Sequence, residues 1–87
     1  MFFYVYILQS KKDHKFYIGY TNDLRRRFQE HNKGLSFATK GRTPFILIYY
    51  EAYLNRQDAE GREKFFKTGW GKQYMKRVLK NYFNAKI

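Results

Sequence analysis

Phe2-Phe3-Tyr4-Val5-Tyr6-Ile7-Leu8-Gln9, then Ser10-Lys11-Lys12-Asp13-His14, then Phe16-Tyr17-Ile18-Gly19-Tyr20: this opening stretch decides the fold. Two runs of β-branched and aromatic residues flank a short polar turn, which predicts a β-hairpin. Downstream, Thr21 or Asn22 can cap a helix. Asp23 falls in its first turn, Leu24 and Phe28 stand four apart, and Gly34 lies just beyond, so the helix spans about 22–32. Residues 33–44 carry three basic residues, two glycines and the single proline without a period, and read as a loop. A third strand follows over Phe45–Tyr53, nearly continuous in apolar residues, as a strand with both faces covered would be. A helix from about Asn55 to Lys67, a break at Thr68-Gly69-Trp70-Gly71 and a third helix from about Lys72 to Tyr82 complete the chain. Met75, Val78 and Leu79 give the last helix its apolar stripe. The order ββαβαα predicts an α+β fold, one three-stranded β-sheet flanked by three helices. A lone Trp between two helices is expected to plug the core rather than to offer a stacking surface.

The chain has 87 residues, room for one domain spanning 1–87 and one core. It has no cysteine, which excludes disulfides and a thiolate zinc site and suits a reducing cytoplasm. Nine Phe, nine Tyr and one Trp point instead to an aromatic core. Eighteen Lys and Arg against seven Asp and Glu leave a net charge of +11, far more than solubility requires. The basic residues are interleaved with Tyr and Phe, so a polyanion that also offers bases to stack upon, nucleic acid, is the favoured partner. No stretch approaches the roughly 20 apolar residues of a membrane span, and the first residues read as a strand rather than a signal peptide.

A few positions break the apolar pattern. Tyr6 and Tyr17 lie on paired strands and reach one site if the register permits, though most such pairs are simply packed aromatics. On the first helix Arg27 and His31 are four apart at the edge of the core. Arg25 and Arg26 turn to solvent and, with Lys33, Lys40 and Arg42, form a cluster suited to backbone phosphates. On the second helix Glu63 shares the apolar stripe of Ala59 and Phe66. Its partner is open: a metal ion, an arginine such as Arg27 or Arg62, or solvent, with a salt bridge the commonest answer.

Tyr4-Val5-Tyr6, Tyr17-Ile18-Gly19, Leu24-Arg25-Arg26-Arg27 with His31, and an acid on the following helix together resemble the GIY-YIG endonuclease superfamily, especially its small stand-alone members. The likeness extends through Gly41-Arg42-Thr43-Pro44, Glu51-Ala52, Asp58-Ala59 and Arg62-Glu63. It implies the GIY-YIG fold and a metal-dependent endonuclease that hydrolyses DNA phosphodiester bonds, selecting structure rather than sequence. The substrate is then branched, nicked or single-stranded DNA, and no small-molecule cofactor is implied. By this resemblance Tyr17 is the general base and Tyr6 assists and positions the phosphate. Arg27 stabilises phosphate charge, His31 stands near the reacting groups, and Glu63 holds Mg2+ or Mn2+. A free tyrosine ionises near pH 10, so a tyrosine base needs positive charge nearby. One carboxylate suffices for magnesium, which keeps waters and takes phosphate oxygens as ligands. The pattern departs at Tyr4, where the family name has glycine, and the family's late asparagine matches Asn81 or Asn84 equally. The alternative function is a nucleic-acid-binding module on the same fold, and a third class, a basic protein-interaction domain, requires an exposed apolar patch.

Overall fold

A computed structural model of the protein describes residues 1–85. The hairpin forms as expected from β1 (Phe3–Ser10) and β2 (Phe16–Thr21), antiparallel, with Tyr6 opposite Gly19 and Leu8 opposite Tyr17. The third strand, β3 (Phe45–Tyr53), adds to the other side of β1 in the order β2-β1-β3. This makes β1 the central strand, with Val5 through Ser10 buried, and leaves β3 at an edge with only Phe45 buried. The expectation that β3 has both faces covered is therefore corrected. Its continuous apolar run has a different cause. The pairing with β1 shifts between Ile7 and Leu8, so that Ile7 faces Tyr49 while Leu8 faces Leu47, and Ile48 is the extra residue. A bulge of this kind reverses which side alternate residues occupy. Phe45 and Leu47 consequently pack on one face of the sheet, and Tyr49 and Tyr53 on the other.

Each face takes its own helix. Helix α1 (Leu24–Asn32) lays Leu24 and Phe28 against Tyr6, Leu8 and Phe45. On the opposite face α2 (Arg56–Phe66) buries Ala59 and Phe66 against Val5, Ile7 and Ile18, and α3 (Gly69–Val78) adds Met75 to that core. Side-chain caps set the helix starts. Asp23 accepts from the Arg26 amide, one position later than the sequence suggests, Asn55 from the amides of Gln57 and Asp58, and Thr68 from that of Gly71. Thr68 thus begins α3 inside the stretch that reads as a break. The expected third helix also divides, ending at Val78 and resuming as α4 (Lys80–Asn84), and Val78 is exposed rather than part of the stripe.

The expected core role of Trp70 is overturned, since the residue is 78% exposed. Its neighbour Gly71 occupies the contact between α2 and α3, where an added Cβ would lie 2.1 Å from the Phe65 carbonyl oxygen. Only a residue without a side chain fits there. Adjacent helical positions are about 100° apart, so with Gly71 turned inward Trp70 turns out.

Candidate active site

Tyr6 and Tyr17 share the α1 face of the sheet because they are diagonal neighbours across the hairpin, and Gly19, opposite Tyr6, leaves the space between them open. A Cβ at Gly19 would come within 2.5 Å of the Tyr6 hydroxyl. The glycine therefore lets the Tyr6 ring lie across β2 toward Tyr17, and the ring centroids are 6.4 Å apart. His31 completes the group from α1, with its ring 5.8 Å from Tyr6 and 4.9 Å from Tyr17.

His31 sits deeper than the sequence suggests. It is fully buried rather than at the core's edge, because Thr39, from the loop after α1, is buried against it. Its Nε2 is 2.9 Å from the Tyr6 hydroxyl and its Nδ1 is 2.7 Å from Thr39 Oγ1. Burial, helped by the Arg27 charge, lowers the imidazole pKa to about 4, so the ring is neutral at pH 7. The neutral ring carries one N–H, so one of its nitrogens donates to a hydroxyl and the other accepts from one. Burial pushes the Tyr6 pKa up to about 12, against the pull of Arg27. Tyr6 is thus protonated at neutral pH. Thr39 and Ser36, whose hydroxyl accepts from Arg27 at 3.4 Å, anchor the loop to this site. Pattern reading passes over both, since neither residue stands in a periodic segment.

Arg27 also meets Glu30 at 3.0 Å. Neither arginine considered as a partner for Glu63 takes that role. Arg62 pairs with Glu51, donating at 2.8 and 3.1 Å, while Tyr49 and Tyr53 donate to the same carboxylate. Glu63 instead meets Lys67 at 3.1 Å, one helical turn on. It remains half-buried. A single carboxylate of this kind fits a hard cation whose other ligands are water and phosphate oxygens. No group of three or more His, Asp or Glu exists among the described residues to build a protein-only metal cage.

Of the expected phosphate contacts, Arg25, Lys33 and Lys40 are exposed, and Arg26 is an exposed residue only loosely paired, at 3.9 Å to Asp23 and 3.8 Å to Glu30. Lys40 stands over the Phe37 ring at 5.0 Å. Arg42 is half-buried, held by Asp13 at 2.9 Å, and it ties the hairpin turn to the loop after α1. Asn81 and Asn84 both lie on α4.

The profile of the GIY-YIG catalytic domain matches residues 2–77. The chain belongs to the GIY-YIG family. A UPF0213 protein of Clostridium perfringens is 43% identical over 65 residues, covering 74% of this chain and 69% of its own length. One from Pediococcus pentosaceus is 40% identical over 80 residues, covering 91% and 83%. The solution NMR structure of a UPF0213 protein from Bacillus halodurans superposes with a TM-score of 0.57 at 34% identity, over 90% of this chain and 85% of that one. Tyr6 and Tyr17-Ile18-Gly19 lie within the span that the family profile matches. Among the described residues no helix is long and apolar enough to cross a membrane.

Proposed function

We propose that the protein is a divalent-metal-dependent endonuclease that cuts DNA phosphodiester bonds and chooses its substrate by structure rather than sequence. The observation that carries this reading is the packing of the Tyr6, Tyr17 and His31 rings within 6.4 Å of one another, with Tyr6 hydrogen-bonded to His31 at 2.9 Å. In this proposal Tyr17, nearer the surface than Tyr6, acts as its phenolate and takes the proton of the attacking water, becoming the neutral phenol. The water oxygen forms the new bond to phosphorus, and the bond to the leaving sugar oxygen breaks. Arg27 offsets negative charge on the phosphate, where a planar guanidinium with several donors is well suited. Tyr6, held by its 2.9 Å hydrogen bond to His31, keeps its proton and positions the phosphate. Glu63 would hold Mg2+ or Mn2+, which supplies Lewis-acid stabilisation of the leaving oxygen when bound.

The Lys67–Glu63 ion pair favours a second reading, a DNA-binding module in which the lysine has displaced the cation. One assay separates the two. The wild-type protein is expected to cut nicked or branched DNA in magnesium and to stop when the metal is chelated. Tyr17→Phe is expected to bind DNA normally but cut at least about 10²-fold more slowly, the usual contribution of a general base. Cleavage by Tyr17→Phe at the wild-type rate would falsify the tyrosine-base assignment, and a wild-type protein that binds but never cuts supports the module.

A further inference from the structure

The loop after α1 carries large apolar side chains outward. Leu35 is 69% exposed and Phe37 86%, yet Ser36 between them and Thr39 just beyond are buried. A tight turn explains the division. The Thr39 amide donates to the Ser36 carbonyl at 3.1 Å, so Ser36 and Thr39 are the ends of the turn and Phe37 and Ala38 its corners. Both ends are tied to the candidate active site: Thr39 Oγ1 lies 2.7 Å from His31 Nδ1, and the Ser36 hydroxyl accepts from Arg27 at 3.4 Å. Phe37 therefore stands at the tip of a turn whose base is the site itself. Exposed cations flank it. Lys33 precedes the turn, and Lys40 follows it with its Nζ 5.0 Å from the centroid of the Phe37 ring. From His31 to Tyr50 the chain holds neither Asp nor Glu. An exposed ring in a wholly cationic segment fits a polyanion that also offers apolar surface, and DNA offers it in the faces of its bases. Apolar side chains such as Phe enter between base steps, part the stack and kink the duplex. The cost of parting is least where the stack is already interrupted, as at a nick, a branch or a mismatch.

We infer that Phe37 is a wedge that enters DNA at an interrupted base stack beside the phosphate to be cut, with Lys33 and Lys40 on the flanking phosphates. The inference rests on the nuclease reading and deepens it: selection by structure then comes from a ring that senses a break in stacking. It also gives the two anchors of the turn a use. A wedge fixed through Thr39 to His31 and through Ser36 to Arg27 holds the opened step in one position relative to the reacting groups.

Leaving out divalent metal lets binding be read without cutting. A duplex with one nick carries 2-aminopurine at the nick, a base analogue whose emission rises when it unstacks. The wild-type protein is expected to raise that emission and to bind the nicked duplex about tenfold more tightly than an intact one, the scale of one contact between an aromatic ring and a base. Phe37→Ala should lose the rise and bring the affinity ratio near one, with intact-duplex affinity and Tm nearly unchanged because the side chain is exposed. Phe37→Leu keeps an apolar wedge and should retain most of both effects. Flat emission with the wild type, or a nicked-to-intact ratio that Phe37→Ala leaves as it was, overturns the inference. So does a ring that serves instead to pair two copies of the chain, which would show as a shift in sedimentation of Phe37→Ala with that ratio unchanged. The failure of the nuclease reading looks different: a wild-type protein that opens the stack at the nick but cuts no DNA in magnesium keeps the wedge and loses the catalysis.

Discussion

Buried histidine at the centre of the site has a consequence for stability that can be measured residue by residue. His31 is neutral in the folded protein because burial and the Arg27 charge lower its pKa to about 4, against an opposing pull from Glu30. The unfolded chain, with an ordinary imidazole, binds a proton below about pH 6.5. Where the unfolded state binds more protons, stability rises with pH. The His31 contribution is therefore complete above about pH 6.5 and is lost as the pH falls toward 4. Carboxylates act lower. Asp13 is held down to about 2, chiefly by Arg42, and in Glu51 the bonds from Arg62 and two tyrosines outweigh the upward push of burial. Thermal melts should thus show the wild type losing about 2 kcal/mol between pH 7 and 4.5, with His31→Gln less stable at pH 7 but nearly flat over that window. A wild-type protein equally stable at both pH values would show that His31 is not held neutral. This residue also marks where the sequence stops being legible. The Tyr-Ile-Gly triplet and the helix spacing point to Tyr17 and His31, whose rings the structure brings together, but the depth of His31 depends on Thr39, in a loop with no periodicity to read.

At the scale of elements, the hairpin and the first two helices follow from patterning, because each presents an apolar face at the right period. Two features escape it. The bulge at Ile48 is a pairing event, visible only once β3 lies beside β1. The junction of α2 and α3 is decided by the absence of a side chain at Gly71, and the conspicuous residue next to it, Trp70, draws the reading the wrong way. A pair of glycines tests this account. At Gly71 an added methyl would meet backbone atoms of Phe65 and Phe66 at 2.1 to 2.7 Å, so the helices must separate, an overpacking cost of about 1–3 kcal/mol or more. At Gly61, within α2, a methyl meets nothing within 4 Å. There the helix gains the usual advantage of alanine over glycine, roughly 0.5–1 kcal/mol. Gly71→Ala should lower Tm by several degrees and Gly61→Ala should raise it by a few, since about 1 kcal/mol moves a chain of this size roughly 4–8 °C. Two shifts of the same sign would mean that the close approach at Gly71 is not what joins the helices.

For the whole molecule, the net charge of +11 understates how the cations are arranged. Six of the seven acids already face a base: Asp13 with Arg42, Asp23 with Arg26, Glu30 with Arg26 and Arg27, Glu51 with Arg62, Glu60 with Arg56, and Glu63 with Lys67. The acids are thus neutralised within the fold, and the remaining bases, among them Arg25, Lys33, Lys40, Lys15 and Lys72, meet solvent without a partner among the described residues. Their joint field draws in a polyanion, and each phosphate they neutralise releases a condensed counterion. If about five such residues contact a duplex at once, the logarithm of the binding constant should fall with the logarithm of salt at a slope of about −4.5. Between 50 and 200 mM that slope amounts to a loss of several hundredfold. Fluorescence anisotropy of one labelled duplex across a salt series measures it directly. Arg25→Ala and Lys33→Ala together should flatten the slope by nearly 2. Arg62→Ala, which removes a charge already spoken for by Glu51, should unsettle the fold while leaving the slope of whatever remains folded unchanged. Equal changes in slope from all three substitutions would mean that binding senses total charge alone, and the division between internally paired and outward-facing cations would have no bearing on how this protein holds DNA.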